Sequence, residues 1–154
     1  MTYSSTAQPS YLQNTGGRKC LMAWITSTDH NRIGVLYLVS MLSFFFVGVG
    51  IGLVMRLVQL TTFQQMITAQ TYNALFTVHG VLMIFLFVIP GLGAPFGNFF
   101  LPILIGAKDV AFPRLNLASW YFFMIGAILA ILSLFTGGGA PDTGWTFYAP
   151  LSTT

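Results

Sequence analysis

Three long apolar runs, separated by polar segments, dominate the pattern of this chain. They cover residues 33–56, 74–107 and 116–137, and the charged residue nearest to each lies at or beyond its end. A helix of about 20 apolar residues crosses the hydrocarbon core of a bilayer, so each run is long enough to span it. The pattern predicts an all-α integral membrane protein with three transmembrane helices.

The polar segments between the runs predict the loops. Residues 1–32 read as an N-terminal tail that ends in a short interfacial stretch, because Trp24 suits the membrane–water boundary. Residues 57–73 form a first loop, residues 108–115 a short charged turn and residues 138–154 a final loop. The whole chain is therefore expected to form one membrane-embedded unit.

Composition and charge further restrict the class of protein and its partners. Of the 154 residues, 55% are hydrophobic and 6% are charged, whereas soluble domains carry about 25% charged residues. The net charge of +3 comes with no basic cluster longer than Arg18-Lys19, which argues against a nucleic-acid partner. The single cysteine, Cys20, has neither a disulfide partner in the chain nor the spacing of a metal site. The expected partner by composition is the lipid membrane.

The basic residues predict the orientation. They stand before the first helix and in the turn between the second and third: Arg18, Lys19, Arg32, Lys108 and Arg114. The positive-inside rule places these two regions, with the N-terminus, in the cytoplasm and the C-terminus outside. His79 then lies toward the outer face and Asp109 at the inner face.

Two polar side chains stand out inside the apolar runs. His79 is the only ionisable group of the second run, and an imidazole at that depth needs a partner. It is either a metal ligand, the commonest role of neutral imidazole, or a histidine hydrogen-bonded to a neighbouring helix. Asn98 likewise needs a partner or a water-lined cavity. Arg56, at the end of the first run, reads from the pattern alone as an interfacial arginine that reaches for the headgroups.

Several residues predict local details of the helices. Ser27, Thr28 or Asp29 is expected to cap the first long helix. Gly48 and Gly52 share one face of that helix and allow a second helix to approach closely. The second run contains helix-disrupting residues that predict a kink or local unwinding: Pro90, Gly91, Gly93 and Pro95.

Five sequence strings resemble subunit I of the haem–copper oxidases. They are DHNRIG at 29–34, TVHGVLMIF at 77–85, GN at 97–98, GAKDVAFPRLN at 106–116 and GWTFYAPL at 144–151. The similarity runs from about Trp24 to the last residue. It implies that the three helices are the first three of a twelve-helix bundle, in the branch of the family that uses the D proton channel.

The resemblance implies a haem site at the outer side. His79 matches an axial ligand of the low-spin haem, which we expect to be haem A. Arg56 matches an arginine that contacts a substituent of the haem ring. Tyr72 and Trp145 fall near positions associated with the haem propionates.

The resemblance also implies a proton channel at the inner side. Asp109 matches the carboxylate at the cytoplasmic mouth of the D channel, with a simple helix-capping role as the alternative. Asn98 and Asn116 match amides that hold the water chain above it, since an amide both donates and accepts. Ser119 falls at a further hydroxyl position beside that path.

By this resemblance the chain is the N-terminal portion of subunit I of a proton-pumping respiratory oxidase in a bacterial-type inner membrane. Electrons would pass from a cytochrome c-type donor through the low-spin haem to oxygen. The ligands of the high-spin haem and copper lie on later helices in the family, and none matches here. We therefore expect an enzyme only within a complex, together with the remainder of subunit I and subunits II and III.

Three alternatives remain open at this stage. The chain is a non-catalytic assembly subunit, a small transporter, or a relative that oxidises quinol. Quinol-oxidising relatives carry Arg, Asp and His near the positions of Val47, Ile51 and Thr71, which favours the cytochrome c-type donor. The cation site of many relatives is not expected, because residues 57–59 supply no carboxylate.

Overall fold

The computed structural model describes residues 20–60, 67–132, 141, 143–150 and 152–153. Within these residues the regular structure is helical throughout, with no strand. Three helical stretches are long and apolar enough to cross a membrane: His30–Gln59, Ala69–Ile105 and Pro113–Leu132. The predicted all-α membrane architecture with three membrane-spanning helices is confirmed.

The first long helix follows a short interfacial one. Helix α1 covers Cys20–Ile25 and helix α2 covers His30–Gln59, so α2 starts three residues before the predicted 33–56 run and ends three residues after it. Asp29 is the N-cap of α2, and its carboxylate accepts a hydrogen bond from the backbone N–H of Asn31 at 2.8 Å. Of the three candidate caps, Asp29 is the one the structure selects.

The second long stretch is continuous but not uniform. It consists of helix α3 (Ala69–Val81), a π-helical segment (Leu82–Val88) and helix α4 (Ile89–Ile105). We predicted a kink or local unwinding at Pro90 to Pro95. The helix is not unwound there, because α-helix continues through that stretch; the departure from α-helical hydrogen bonding comes earlier, as the π-helix. Pro90 cannot donate a hydrogen bond to the preceding turn, and the wider π turns lie directly before it.

Helix α5 covers Pro113–Leu132 and begins with a proline, which has no N–H to leave unpaired in the first turn. It starts three residues before the predicted 116–137 run. The predicted helical residues 133–137, and residues 138–140, 142, 151 and 154 of the predicted final loop, lie outside the described residues. Of the predicted 57–73 loop, residues 57–60 and 67–73 are described. Helix α2 extends into this loop to Gln59, and α3 begins within it at Ala69.

Helix α2 packs along the whole length of the α3–π–α4 stretch. A Cβ added at Gly48 would lie 2.6 Å from Met83 Sδ, and one added at Gly52 would lie 3.1 Å from His79 Cε1. The close helix approach predicted for these two glycines is therefore confirmed. Helix α5 packs against the other helices through two buried clusters. The buried residues of one are Ile33, Tyr37, Leu117 and Trp120. Those of the other are Phe44, Val78, Leu82, Leu86 and Ala127.

The outward faces of the helices are strongly apolar. Leu104 is 80% exposed, Ile103 75% and Phe122 74%. In water such a surface would be unfavourable. In a membrane it faces lipid chains or further helices, which is consistent with a multi-pass membrane protein.

Candidate functional site

His79 is held against helix α2 by a backbone carbonyl. Its Nδ1 lies 2.9 Å from the carbonyl oxygen of Gly48, and the side chain is half-buried between α2 and α3. A carbonyl oxygen only accepts hydrogen bonds, so Nδ1 must carry the proton. The other ring nitrogen, Nε2, is therefore the one with a free lone pair. A histidine that binds metal has this arrangement, because a hydrogen bond at one nitrogen fixes the tautomer and the ring orientation.

The absence of a side chain at Gly52 makes room for this imidazole. A Cβ at Gly52 would stand 3.1 Å from Cε1 and 3.7 Å from Nε2 of His79. Such a contact is tighter than ordinary packing, so the ring would have to move. Two residues of α2 thus set the position of the His79 ring: the carbonyl of Gly48 accepts its hydrogen bond, and Gly52, one turn further along, leaves room for it.

Arg56 and Tyr72 meet through a residue that the sequence analysis did not select. Arg56 Nη1 lies 3.5 Å from Gln59 Oε1, and Gln59 Nε2 donates to the Tyr72 hydroxyl at 2.7 Å. Tyr72 precedes His79 by seven residues and Gln59 follows Gly52 by seven, so all four lie on facing sides of α2 and α3. That spacing was readable in the sequence, but it became informative only once the two helices were known to pack together.

Trp145, in the final loop, packs against the same helix, α3, but beside Gly80. A Cβ at Gly80 would come 2.9 Å from Trp145 Cδ1. The neighbouring Gly144 N–H donates to Thr77 Oγ1 at 2.9 Å, and Thr77 is 1% exposed. The described part of the final loop is thus fastened to the helical turn that carries His79.

Gly80→Ala is expected to destabilise the assembled protein, because the new methyl group would push Trp145 off α3. Overpacking of this kind costs roughly 1–3 kcal/mol. Gly97→Ala is the matched control: it lies in α4, where a Cβ would meet nothing within 4 Å, and alanine favours a helix over glycine by about 1 kcal/mol. Thermal unfolding should show a lower midpoint for Gly80→Ala and an equal or higher one for Gly97→Ala. Equal midpoints for both variants would contradict this packing.

A second polar group lies toward the other end of the same helices. The side-chain amides of Asn98 and Asn116 form a reciprocal pair: each donates through Nδ2 to the other's Oδ1. Asn98 Nδ2 also reaches the Ala94 carbonyl at 2.8 Å, and Asn98 is 5% exposed. The partner that an amide at this depth requires is therefore Asn116 on α5.

Ser119 is the next polar group along α5. Its hydroxyl donates to the Asn116 carbonyl at 2.6 Å and lies 2.8 Å from the Tyr37 hydroxyl. Because the Ser119 proton is used toward the carbonyl, Tyr37 is the donor in the second contact. Tyr37 was not selected from the sequence, since one tyrosine in an apolar run has the same pattern as any core aromatic residue.

These polar groups border an open cavity of about 400 Å³ between α2, α4 and α5. Its polar lining comes from Tyr37, Asn98, Asn116 and Ser119, and residues 110–112 also line it. A buried water needs roughly 10–15 Å³ and two to four polar partners. The cavity has the volume for several waters, and these four side chains place hydrogen-bonding groups on its wall.

Asp109 directly precedes the lining residues 110–112 in the chain and pairs with a histidine. Its Oδ1 is 2.9 Å from His30 Nδ1 and accepts the Val110 N–H at 2.7 Å. The Asp109 side chain is 44% exposed and that of His30 is 12% exposed. His30 belongs to the predicted cytoplasmic segment, but no role was predicted for it, because it lies 79 positions from Asp109 in the sequence.

The predicted site residues therefore form two groups. His79 with Arg56, Tyr72 and Trp145 lies at one end, and the remaining four lie toward the other: Asp109, Asn98, Asn116 and Ser119. His79 and Asn98 are 19 positions apart on one continuous helical stretch, which at 1.5 Å per residue is roughly 28 Å. Among the described residues, no three His, Cys, Asp or Glu side chains come together as a metal site.

A comparison with known families identifies the family of this chain. The model of the family described as "Cytochrome C and Quinol oxidase polypeptide I" matches residues 32–154. This chain belongs to that family. The resemblance to subunit I of the haem–copper oxidases is confirmed, and the family implies haem cofactors.

Individual relatives of this oxidase subunit are similar over most of the chain. A putative cytochrome c oxidase subunit 1-beta of Streptomyces avermitilis is 40% identical over 151 residues, which is 98% of this chain and 26% of that protein. A probable subunit 1-beta of Nocardia farcinica is 45% identical over 132 residues, covering 86% and 22%. Cytochrome c oxidase subunit 1 of Corynebacterium efficiens is 40% identical over 147 residues, covering 94% and 25%. The chain spans about a quarter of the length of these relatives.

Proposed function

We propose that this chain is the N-terminal portion of subunit I of a respiratory terminal oxidase, and that His79 provides one axial ligand of a low-spin haem. The observation that carries the proposal is the hydrogen bond between His79 Nδ1 and the Gly48 carbonyl oxygen. The Gly48 carbonyl requires the proton on Nδ1, which leaves Nε2 free to bind iron. Family membership supplies the haem, and the geometry supplies a nitrogen prepared to ligate it.

The chain's own residues fit this haem, which we expect to be haem A. When bound with two imidazole ligands, a haem of this kind transfers electrons without binding oxygen. His79 would hold one face of it, with its ring oriented by Gly48. Arg56 and Tyr72 would offer N–H and O–H donors to oxygen atoms at its edge, and Trp145 would lie beside the same turn of α3. None of these residues has to move a proton for the electron transfer.

The second group of residues is proposed as the proton entry path. Asp109, which is partly exposed, paired with His30 and adjacent in the chain to the cavity residue Val110, would collect protons from the cytoplasmic side. The waters of the cavity would carry them past Asn98 and Asn116. Ser119 and Tyr37 border the same cavity. Amides and hydroxyls both donate and accept, so they orient water without retaining the proton.

The expected setting is a bacterial-type inner membrane with the N-terminus in the cytoplasm. A cytochrome c-type electron donor is favoured over quinol, because the relatives reported above are named cytochrome c oxidase subunit 1. The high-spin haem, the copper and the second ligand of the low-spin haem would come from the remainder of subunit I. Subunits II and III are the expected further partners of the complex.

An optical spectrum of the purified complex that contains this chain tests the proposal. A reduced low-spin haem band that disappears on replacement of His79 supports the oxidase assignment. A complex that assembles without any low-spin haem would instead show that this chain is a non-catalytic assembly subunit.

Arg56→Met is expected to lower the midpoint potential of the low-spin haem and to shift its absorption to shorter wavelength. A guanidinium near the ring edge withdraws electron density through its hydrogen bond and favours the reduced state. Redox titration followed at the haem band measures the change. An Arg56→Lys variant controls for charge, because lysine keeps the cation but loses the planar fork of donors. An unchanged midpoint in Arg56→Met would mean that Arg56 only anchors α2 at the membrane surface.

A further inference from the structure

Gln59 contacts both Arg56 and Tyr72, the two hydrogen-bond donors of the His79 group. It is the last residue of α2, one turn after Arg56, and it faces Tyr72 near the start of α3. Its Oε1 lies 3.5 Å from Arg56 Nη1, which is a long contact, and its Nε2 donates to the Tyr72 hydroxyl at 2.7 Å, which is a short one. One side-chain amide thus joins α2 to α3 at the outer end of their interface.

The chemistry of the partners fixes which way this amide points. Arginine has N–H donors and no acceptor, so only the oxygen of the amide can favourably face Arg56. The NH₂ group must then face Tyr72, and the tyrosine oxygen must accept. The hydrogen of the Tyr72 hydroxyl is consequently left free to donate elsewhere. The same applies to the N–H groups of Arg56 that do not face Gln59.

We propose that Gln59 is a positioning residue of the low-spin haem site: it orients Arg56 and turns the Tyr72 hydroxyl so that both donate to oxygen acceptors at the haem edge. The acceptors are carboxylate or carbonyl oxygens of the cofactor. This inference rests on the proposed function, since it requires a haem bound at His79. It adds a third residue, and a fixed direction of hydrogen bonding, to the two that the family resemblance suggested.

Glutamate at this position should reverse the arrangement. The carboxylate of Gln59→Glu has the shape of the amide but only accepts. It would take the Tyr72 hydrogen, remove that donor from the haem and compete for the Arg56 guanidinium. The haem would lose hydrogen bonds that withdraw electron density, and its midpoint potential should fall.

The experiment measures the midpoint potential and the absorption maximum of the low-spin haem in the whole complex. Gln59→Glu is compared with Gln70→Glu, which adds the same charge at an exposed glutamine of α3. We expect a larger fall in potential, with a spectral shift, for Gln59→Glu than for Gln70→Glu. Equal shifts in the two variants would mean that added charge alone acts, and would overturn the proposal.

An uncharged pair of variants provides the second measurement. Gln59→Leu and Tyr72→Phe should each shift the potential, and the double variant should shift it by less than the sum, because both single changes remove the same donor arrangement. Strictly additive shifts would overturn the proposal. If the unmodified complex contained no low-spin haem, the proposed function itself would be refuted. Failure of the Gln59 proposal and failure of the proposed function are therefore distinguishable.

Discussion

His79→Leu should remove the low-spin haem from the assembled complex. Leucine fills a similar volume between α2 and α3 but offers no lone pair, and it cannot use the Gly48 carbonyl that orients the imidazole. Because one axial bond would be lost entirely, we expect loss of the low-spin band rather than a shift in its wavelength. The measurement is the reduced-minus-oxidised spectrum of the purified complex, normalised to protein.

His30→Leu is the matched control for this variant. His30 is the other of the two histidines in the chain, and it lies against Asp109 rather than in the α2–α3 interface. Its replacement should leave the low-spin band at full intensity. A His79→Leu complex with the spectrum of the unmodified protein would refute the ligand assignment and leave His79 as a histidine that only joins two helices.

A milder variant separates ligation from assembly. Gly52→Ala keeps the imidazole but places a methyl group 3.1 Å from His79 Cε1. The ring would have to tilt, so the haem should be retained with a changed spectrum or potential. This intermediate result is expected only if the position of the ring matters, and it does not depend on a complex that lacks haem being stable.

The general architecture was predictable because its causes are local. Uncharged runs of sufficient length must form helices in a bilayer, where each backbone polar group has to be paired within its own segment. Asp29 caps α2 because its carboxylate is one residue from the helix start. Gly48 and Gly52 form a close contact because four-residue spacing places them on one face. Both the cap and the glycine contact depend on residues that lie within about one helical turn of each other.

The π-helical segment Leu82–Val88 was not predictable in the same way. Its sequence has no glycine, proline or polar residue that marks it, and the nearest unusual residue, Pro90, suggested a disruption further along. A helix that loses a hydrogen bond can widen before the proline or bend at it, and packing against the neighbouring helices decides which occurs. Sequence patterns show the missing donor but not where the structure accommodates it.

The site residues likewise divide into those recognisable from the local sequence and those whose role depends on contacts between helices. A lone His79 and a lone Asn98 in apolar runs were recognisable as groups that need partners. Their partners were not, because the Gly48 carbonyl and the Asn116 amide come from other helices. Gln59, His30 and Tyr37 were missed for the same reason: each is ordinary in its local context and becomes part of a site only through a contact across the helix interface.

Asp109→Asn should slow oxygen consumption strongly while leaving electron entry into the low-spin haem fast. Asparagine keeps the size of the side chain and can still contact His30 and the Val110 N–H, but it cannot release and rebind a proton near neutral pH. If protons enter the cavity through Asp109, turnover should fall by at least about tenfold, toward the roughly 10²–10⁴-fold that positioned proton-transfer groups contribute. Asp109 is 44% exposed, so weakening its contact with His30 should cost little stability.

The measurement is steady-state oxygen consumption and proton release by the complex reconstituted in vesicles, with haem reduction followed separately by rapid mixing. Asp29→Asn is the control, because it removes a carboxylate next to His30 while asparagine still caps α2 as well as aspartate does. That variant should turn over normally. If Asp109→Asn also consumed oxygen and released protons at the normal rates, Asp109 would be a surface carboxylate that orders the turn before α5, and the cavity beside Asn98 and Asn116 would not be fed from this end.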